Sequence, residues 1–232
     1  SDLGACGLVV TRDGRAFFVG NNIEEPRVMA EELGPLGCES RSFRWFEATT
    51  AATVVRKEFH GALVSDDGSL GKNVNGELAY ARSLLTPLEL EKYRRLGQLA
   101  AEAMETVLAG IEPGQTEEDV AASLVVEAAK RRCLLPVVLV AADGRIARYR
   151  HPLPVQTPLL AGAAPSAGAG VRGYVMVVGG FVKEGLCVSM TRFKQIGPFP
   201  DGIRDTYRRI CGVDALVQEA TAPGQTLGGV LD

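Results

Sequence analysis

Residues 175–192, VMVVGGFVKEGLCVSMTR, decide the fold of this chain. Their apolar residues form two continuous runs, and such runs are typical of strands that are buried in a sheet. The glycine pair Gly179-Gly180 separates the runs. We therefore predict two buried strands, over residues 173–180 and 181–191, that meet at this pair.

Two helices are predicted before these strands. Thr86-Pro87-Leu88-Glu89 is a helix start, with Thr as the N-cap, Pro in the first turn and Glu three residues after the cap. Apolar residues then recur at helical spacing as far as Gly110. A second helix is predicted to begin after Thr116 and to end in Lys130-Arg131-Arg132, where basic residues suit the helix dipole. Residues 203–220 are predicted to form a further helix.

Two short motifs occur twice, in the same order. Tyr93-Arg94-Arg95 recurs as Tyr207-Arg208-Arg209, and residues 113–116 (PGQT) recur as residues 223–226. Each first motif lies near the start of a predicted helix and each PGQT follows that helix, which favours an internal duplication. On this hypothesis the second copy stops at Asp232, where its strands would begin.

The residues before Thr86 have a different sequence pattern. Residues 7–10 and 16–19 are apolar runs joined through Asp13-Gly14, which predicts a hairpin. Residues 23–33 predict a short helix, and the apolar residues 51–55 and 62–64 predict further strands. The sequence thus divides into a small mixed α/β domain over residues 1–85 and a second domain over residues 86–232.

Within the second domain a strand is predicted over residues 134–140. It is followed by the turn Asp143-Gly144-Arg145 and then by the segment Arg148-Tyr149-Arg150-His151-Pro152. Residues 160–170 are rich in Ala and Gly and are predicted to form a mobile loop.

Composition excludes several classes of function. The 232 residues are 46% hydrophobic and 23% charged, with a net charge of −3 and a pI near 5.6. This charge predicts neither a nucleic-acid partner nor an anionic membrane partner. No apolar run reaches the ~18 residues of a membrane span, and the first residues have no basic signal-peptide flank. Five scattered cysteines without a CxxC motif predict neither a disulfide framework nor a thiolate metal site, so we expect a soluble cytoplasmic protein.

The order of helix, PGQT, helix, His-Pro segment and two strands ending in Thr-Arg resembles the aminopeptidase P, prolidase and creatinase (M24) family. Residues 21–27 (NNIEEPR) and 43–46 (FRWF) also resemble a creatinase-type N-terminal domain. The resemblance implies an α/β (α+β) fold. A creatinase-like N-terminal domain would precede a pita-bread, catalytic-type domain of two similar halves, the second incomplete here. It also implies a homodimer.

The resemblance also defines where metal ligands would lie. Active peptidases of that family bind two divalent metals, and two ligands are aspartates on paired strands. Residues 175–192 align with that pattern without a gap. The matching positions are Gly180, Gly185, Thr191 and Arg192. The two aspartate positions are occupied by Val178 and Ser189. Since two neighbouring dications need anionic oxygen donors, we predict no metal and no cofactor.

His151 is the remaining position that matches the family. In relatives a histidine in this region contacts the substrate or assists proton transfer, and creatinase uses such a histidine without a metal. A lone histidine can act as acid and base near neutral pH. The alternative is that His151, on an extended segment before Pro152, only hydrogen-bonds the backbone.

Three arginines are candidates to bind a carboxylate together with His151, since guanidinium groups bind carboxylates bidentately. They are Arg148, Arg150 and Arg192. The alternative is that these are solvated arginines on an edge strand.

Three hypotheses of function remain open from the sequence. The first is an Xaa-Pro peptidase or prolidase homologue that has lost its dinuclear metal site and binds a peptide or small molecule without catalysis. The second is a metal-independent, creatinase-like amidohydrolase that uses His151. The third is an Xaa-Pro metallopeptidase whose ligands come from residues outside this sequence. The sequence is thus compatible both with an enzyme and with a binding protein.

Overall fold

A computed structural model describes residues 6–154, 170–198 and 202–231. Cα packing divides the chain into two compact units, Ser1–Leu85 and Thr86–Asp232. The Ala/Gly-rich loop predicted over residues 160–170 lies outside the described residues, apart from Gly170. Among the helices in the described ranges, none is both long enough and apolar enough to cross a bilayer.

The first unit contains a three-stranded sheet and several short helices. In chain order its elements are β1 (Cys6–Val10), β2 (Ala16–Asn21), α1 (Glu25–Val28), a π-helix (Met29–Leu33), a 3-10 helix (Gly34–Leu36), β3 (Glu39–Phe43), α2 (Ala51–Glu58), β4 (Val64–Ser65), β5 (Lys72–Asn73) and α3 (Asn75–Ser83). Strand β2 lies in the centre, antiparallel to β1 and parallel to β3. Its residues Phe17, Phe18 and Val19 are almost completely buried.

The predicted hairpin is present, and its turn uses Gly14 at φ +86°. Residues 51–55, predicted as a strand, are instead the start of helix α2. The hydroxyl of Thr50 accepts the N–H of Thr53 at 3.2 Å, and this cap outweighs the strand preference of the β-branched residues that follow. The helix predicted over residues 23–33 is shorter and turns into a π-helix at Met29, and α3 was not predicted.

The second unit is built from two long helices on a three-stranded sheet. Its elements are α4 (Pro87–Gly110), α5 (Glu117–Lys130), β6 (Leu134–Ala142), a 3-10 helix (Asp143–Arg145), β7 (Tyr174–Lys183), β8 (Leu186–Gln195), α6 (Ile203–Ala220) and α7 (Leu227–Leu231). The strands run antiparallel in the order β6-β7-β8. The N-terminal signal of α4 predicted from the sequence is confirmed, because Thr86 and Glu89 form a reciprocal capping box.

Helices α4 and α5 cover one face of this sheet, and the core of the unit lies between the two helices and the sheet. The largest buried side chains there are Leu96, Met104, Leu124, Val140, Val177 and Phe181. Each buried aliphatic or aromatic side chain of this size contributes roughly 1.5–3 kcal/mol. Side chains alternate along a strand, so the odd-numbered residues of β7 enter this core and the even-numbered residues lie on the opposite face.

The β7–β8 turn lies at Glu184-Gly185, not at Gly179-Gly180 as predicted from the sequence. Both turn residues have positive φ, +51° and +79°, which suits a two-residue hairpin loop. The glycine pair lies within β7 instead and allows close packing there and against β6. A Cβ on Gly179 would lie 2.7 Å from the Phe181 ring, and one on Gly180 would lie 3.1 Å from Cβ of Val137.

The repeated motif adopts the same local structure twice. Gly114 and Gly224 both have φ near +90°. The hydroxyls of Thr116 and Thr226 each accept a backbone N–H three residues later, at 3.1 Å in both copies. The two PGQT segments are therefore equivalent helix starts, for α5 and for α7.

Candidate functional site

The sheet face that α4 and α5 leave uncovered is the candidate site, and it is called the open face below. On β7 it consists of Tyr174, Met176, Val178, Gly180 and Val182, and on β8 of Cys187, Ser189, Thr191, Phe193 and Gln195. Strand β6 adds Val137, Leu139 and Ala141 through its register with β7. None of these described strand residues carries a carboxylate, guanidinium or ammonium group. The open face is thus apolar with a few hydroxyl groups.

Val178 and Ser189 lie together on the open face. Val178 pairs with Thr191 in register and Gly180 pairs with Ser189, so the two are diagonal neighbours on adjacent strands. Val178 is half-buried and Ser189 is exposed. The two positions that the resemblance assigned to metal ligands are therefore adjacent in space.

The donor set at these two positions does not fit a pair of divalent cations. Valine has no lone pair to donate, and a neutral hydroxyl does not supply the charge that a bridging carboxylate supplies. The described part of the chain also contains no group of three or more His, Cys, Asp or Glu side chains placed to hold a metal ion.

The segment carrying His151 follows the 3-10 helix and is not part of a strand. After the 3-10 helix Asp143–Arg145 the chain continues in turns and bends, with the N–H of Arg148 donating to the carbonyl of Arg145 at 3.1 Å. His151, Arg148 and Arg150 are all exposed. Of the alternative interpretation, solvated arginines on an edge strand, the solvation of Arg148 and Arg150 agrees with the structure, but the edge strand does not, because β6 ends at Ala142.

The start of this segment is fixed by the carboxylate of Asp143. Its Oδ1 accepts the N–H groups of Gly173 at 2.8 Å and Tyr174 at 3.1 Å, and its Oδ2 accepts that of Arg172 at 3.2 Å. Asp143 has φ +49°, an uncommon conformation for a residue with a side chain. Three hydrogen bonds hold it there and join the segment to the beginning of β7.

A buried ion pair fixes the same segment to α5. Glu117 lies in the first turn of α5 and is only 7% exposed. One carboxylate oxygen accepts the N–H of Ala142 at 2.8 Å, and the other is paired with the guanidinium of Arg145. Arg145 also donates to the carbonyl of Leu153 at 3.0 Å, so it closes the turn that contains His151. The helix dipole favours a carboxylate at this N-terminus.

Sequence reasoning did not find this ion pair. Glu117 is typical of a first helical turn and Arg145 of a turn after a strand, so each has an ordinary local explanation. A carboxylate at a helix start together with an arginine after the next strand is the signal that could have indicated the pair.

Arg192 lies on the opposite side of the sheet from Ser189. Alternation along β8 places it on the side of Lys194, whose Nζ donates to the carbonyl of Ile111 at the end of α4, at 2.8 Å. Within residues 6–154, 170–198 and 202–231, no hydrogen bond or ion pair joins His151 to the three predicted arginines. The grouping of Arg148, Arg150, His151 and Arg192 as a binding site stays a prediction.

Tyr174 is the titratable group with a shifted pKa on the open face. Burial raises the pKa of its phenol, and the nearby carboxylate of Asp143 raises it further. The phenol therefore stays protonated at neutral pH. The phenol of Tyr174 and the hydroxyls of Ser189 and Thr191 are therefore uncharged polar groups on this face.

No family model and no curated protein matches this chain. Several solved structures do match it in fold. The X-Pro aminopeptidase of Thermotoga maritima superposes with a TM-score of 0.66 at 13% identity, covering 93% of this chain and 62% of that one. The dipeptidase PepE of Mycobacterium ulcerans superposes with a TM-score of 0.68 at 18% identity, covering 94% of this chain and 61% of that one. The prolidase of Pyrococcus furiosus superposes with a TM-score of 0.65 at 15% identity, covering 98% of this chain and 66% of that one.

The chain thus spans about three fifths of the length of the first two of these structures. Identities this low establish the fold and no more. The fold expected from the resemblance, a mixed α/β chain of the pita-bread type, is confirmed. This chain has the fold shared by solved structures of the M24 aminopeptidases P, prolidases and Xaa-Pro dipeptidases.

Proposed function

We propose that this chain is a homologue of the Xaa-Pro peptidases that binds a peptide or small molecule on its open face without a dinuclear metal site. The observation that carries the proposal is the pair Val178 and Ser189, which lie side by side on that face. A carboxylate at each position would be needed to neutralise two cations. With a methyl-bearing side chain and a hydroxyl, the face instead suits an uncharged, partly apolar ligand group.

The names of the structural neighbours indicate the first ligand to test. They are an X-Pro aminopeptidase, an Xaa-Pro dipeptidase and a prolidase. A short peptide containing proline offers an apolar ring that can pack on valine, and a carbonyl that can accept from Ser189 or Thr191. We therefore choose Ala-Pro and Gly-Pro dipeptides as probes.

Metal analysis tests the first half of the proposal. The full chain is incubated with Mn²⁺ or Co²⁺, dialysed and analysed for bound metal, and then assayed for cleavage of Xaa-Pro peptides. We expect less than stoichiometric metal and no cleavage. Stoichiometric metal with cleavage would overturn the proposal in favour of a metallopeptidase whose ligands come from elsewhere.

Calorimetry with the two dipeptides tests the second half. Ser189→Arg places a long charged side chain on the open face, and we expect it to abolish binding. Ser123→Arg is the matched control, because Ser123 is exposed on α5, away from the open face. Equal loss of binding in both variants, or no binding by the unchanged protein, would contradict an open-face peptide site.

A second candidate function is favoured by the way the His151 segment is anchored. The Glu117–Arg145 pair and the bonds to Asp143 fix a turn that presents an exposed imidazole. A metal-independent amidohydrolase would use such a group as acid and base. This candidate requires turnover of small amide or guanidino substrates in the presence of a chelator, and its loss in His151→Ala. Turnover that persists in His151→Ala would exclude it.

A further inference from the structure

A small cleft lies between the first turns of α4 and the β7–β8 turn. Its volume is about 250 Å³. Sites for drug-sized molecules occupy roughly 300–1,000 Å³, so a ligand of this cleft is small. Lys183, which lines the cleft, is an odd-numbered residue of β7 and thus lies on the α4 side of the sheet. The cleft is therefore separate from the open face.

Two leucines of α4 form the apolar part of the cleft. Leu96 is 1% exposed and belongs to the core of the second unit, so it closes the cleft at its inner end. Leu88 lies earlier on α4, is 61% exposed and lines the cleft nearer to solvent. The methylene stems of lysine and arginine side chains add further apolar surface. A ligand that fills this cleft therefore needs an apolar portion.

Charged side chains surround the apolar part. Lys92, Arg95 and Lys183 bring three cations to the cleft, and Glu91 and Glu184 bring two carboxylates. These five groups leave one net positive charge, which a singly charged anion neutralises. A doubly charged anion would leave an excess of negative charge beside the two carboxylates. The charges thus favour a monoanion.

Arg95 and Lys92 are the groups that can receive such an anion. They are three residues apart on α4, so their side chains lie on one side of the helix. The Arg95 guanidinium donates to the amide oxygen of Gln98 at 3.2 Å and lies 3.9 Å from the carboxylate of Glu102. Its five N–H donors leave capacity for a carboxylate bound through both oxygens. Lys183 adds its charge, although its ammonium already donates to a backbone carbonyl at 3.0 Å.

Glu184 already pairs with one of these cations. Its carboxylate lies 2.6 Å from the ammonium of Lys92, and this hydrogen bond lowers the pKa of Glu184, so the group is ionised at neutral pH. Both side chains are about half exposed. An ion pair as exposed as this contributes only about 0–1 kcal/mol. A ligand carboxylate can therefore replace Glu184 on Lys92.

We propose that this cleft binds a small carboxylate with an apolar chain, of the medium-chain fatty acid class. The chain lies against Leu88 and Leu96, and the carboxylate accepts hydrogen bonds from Arg95 and Lys92. Glu184 is the resident carboxylate that the ligand displaces. The site does not depend on the proposed function, because it lies on the other side of the sheet from the open face.

Calorimetry with octanoate, below the concentration at which it forms micelles, tests this site. We expect the full chain to bind octanoate saturably and to bind acetate or octanol at least about tenfold more weakly, since acetate lacks the chain and octanol lacks the charge. Arg95→Gln should weaken octanoate binding about tenfold. Arg94→Gln is the matched control and should leave it unchanged, because Arg94 is an exposed neighbour that does not line the cleft.

Two further variants separate this site from its alternatives. Glu184→Gln removes the competing carboxylate and should tighten octanoate binding about threefold. Ser189→Arg alters the open face and should bind octanoate as the unchanged protein does. Circular dichroism checks that each variant is folded. The proposal is overturned if octanoate does not bind, if acetate binds as tightly, or if Arg94→Gln weakens binding as much as Arg95→Gln. It is equally overturned if Glu184→Gln does not tighten binding or if Ser189→Arg abolishes it.

Discussion

At the scale of single residues, the proposed function depends on Val178 and Ser189. They are diagonal neighbours on β7 and β8, where carboxylates would be close enough to share a cation. The side chains around them are equally uncharged. Two uncharged side chains thus occupy the positions at which a dinuclear site of this kind would need anions.

Introducing a carboxylate at both positions should create an interaction with metal. In Val178→Asp/Ser189→Asp we expect Mn²⁺ to raise the melting temperature, because the cation relieves repulsion between the two new charges. Val178→Asn/Ser189→Asn, of similar shape but neutral, is the control. Differential scanning fluorimetry with and without Mn²⁺ measures the effect. A Mn²⁺ response in the unchanged protein or in the amide variant equal to that of the aspartate variant would contradict this prediction.

The buried pair Glu117–Arg145 should be sensitive to loss of its arginine. Arg145→Ala leaves a carboxylate buried without its cation, and we expect it to lower the free energy of unfolding by about 3 kcal/mol. Arg148→Ala removes an exposed arginine from the same segment and should change it by less than about 0.5 kcal/mol. Urea denaturation measures both. Similar small losses in the two variants would show that the pair does not anchor this segment.

Asp67 should make the unfolding free energy of the first unit depend on pH in the acid range. The N–H of Ser69 and the hydroxyls of Ser69 and Ser65 lower the pKa of its carboxyl from 3.8 to about 2. Because the pKa is lowered in the folded state, the stabilisation is present above pH 3.8 and is lost as the pH falls towards 2. NMR titration of the Asp67 carboxyl checks the pKa. In Asp67→Asn the unfolding free energy should depend less steeply on pH in this window.

At the scale of elements, the two PGQT segments show how one motif works in different surroundings. Both place a glycine near φ +90° and both use the threonine as an N-cap. Only the first is followed by a long helix with buried residues, and it alone adds a capping box through Asp119. The local structure is shared, whereas its contribution to stability depends on what the helix packs against.

The same substitution in the two copies should therefore have different effects. Thr116→Ala removes the cap of α5 and should cost about 1 kcal/mol of unfolding free energy. Thr226→Ala removes the cap of α7, a helix of five residues that has no buried residue, and should cost much less. Urea denaturation followed by circular dichroism compares them. Equal costs would indicate that α7 is packed as firmly as α5.

At the scale of the whole molecule, the chain has two units with separate cores. Among the described residues, the core of the second unit is formed by side chains between Leu96 and Ile196, most of them on α4, α5 and the sheet. We expect residues 86–232 to fold without the first unit, since a domain needs only its own core. Expressed alone, the fragment should unfold cooperatively and keep dispersed methyl resonances. A non-cooperative melt would show that its fold requires residues 1–85.

Local signals in the sequence determined the helix starts, the hairpin at Gly14 and the repeated motif. Caps and turns depend on residues within a few positions of one another, so a sequence reveals them. The strand at residues 51–55 was predicted wrongly because Val and Thr favour strands on average, whereas the Thr50 cap decides this case.

Only the tertiary structure decided which residues meet. It places the β7–β8 turn at Glu184-Gly185, where both residues have positive φ, whereas Gly179 and Gly180 lie within β7 and pack closely against Phe181 and Val137. It also paired Glu117 with Arg145, which lie 28 positions apart, and set Val178 beside Ser189 on an uncharged face. Strand register and side-chain packing join residues that are distant in the chain, so local pattern determines the elements and long-range contact determines the site.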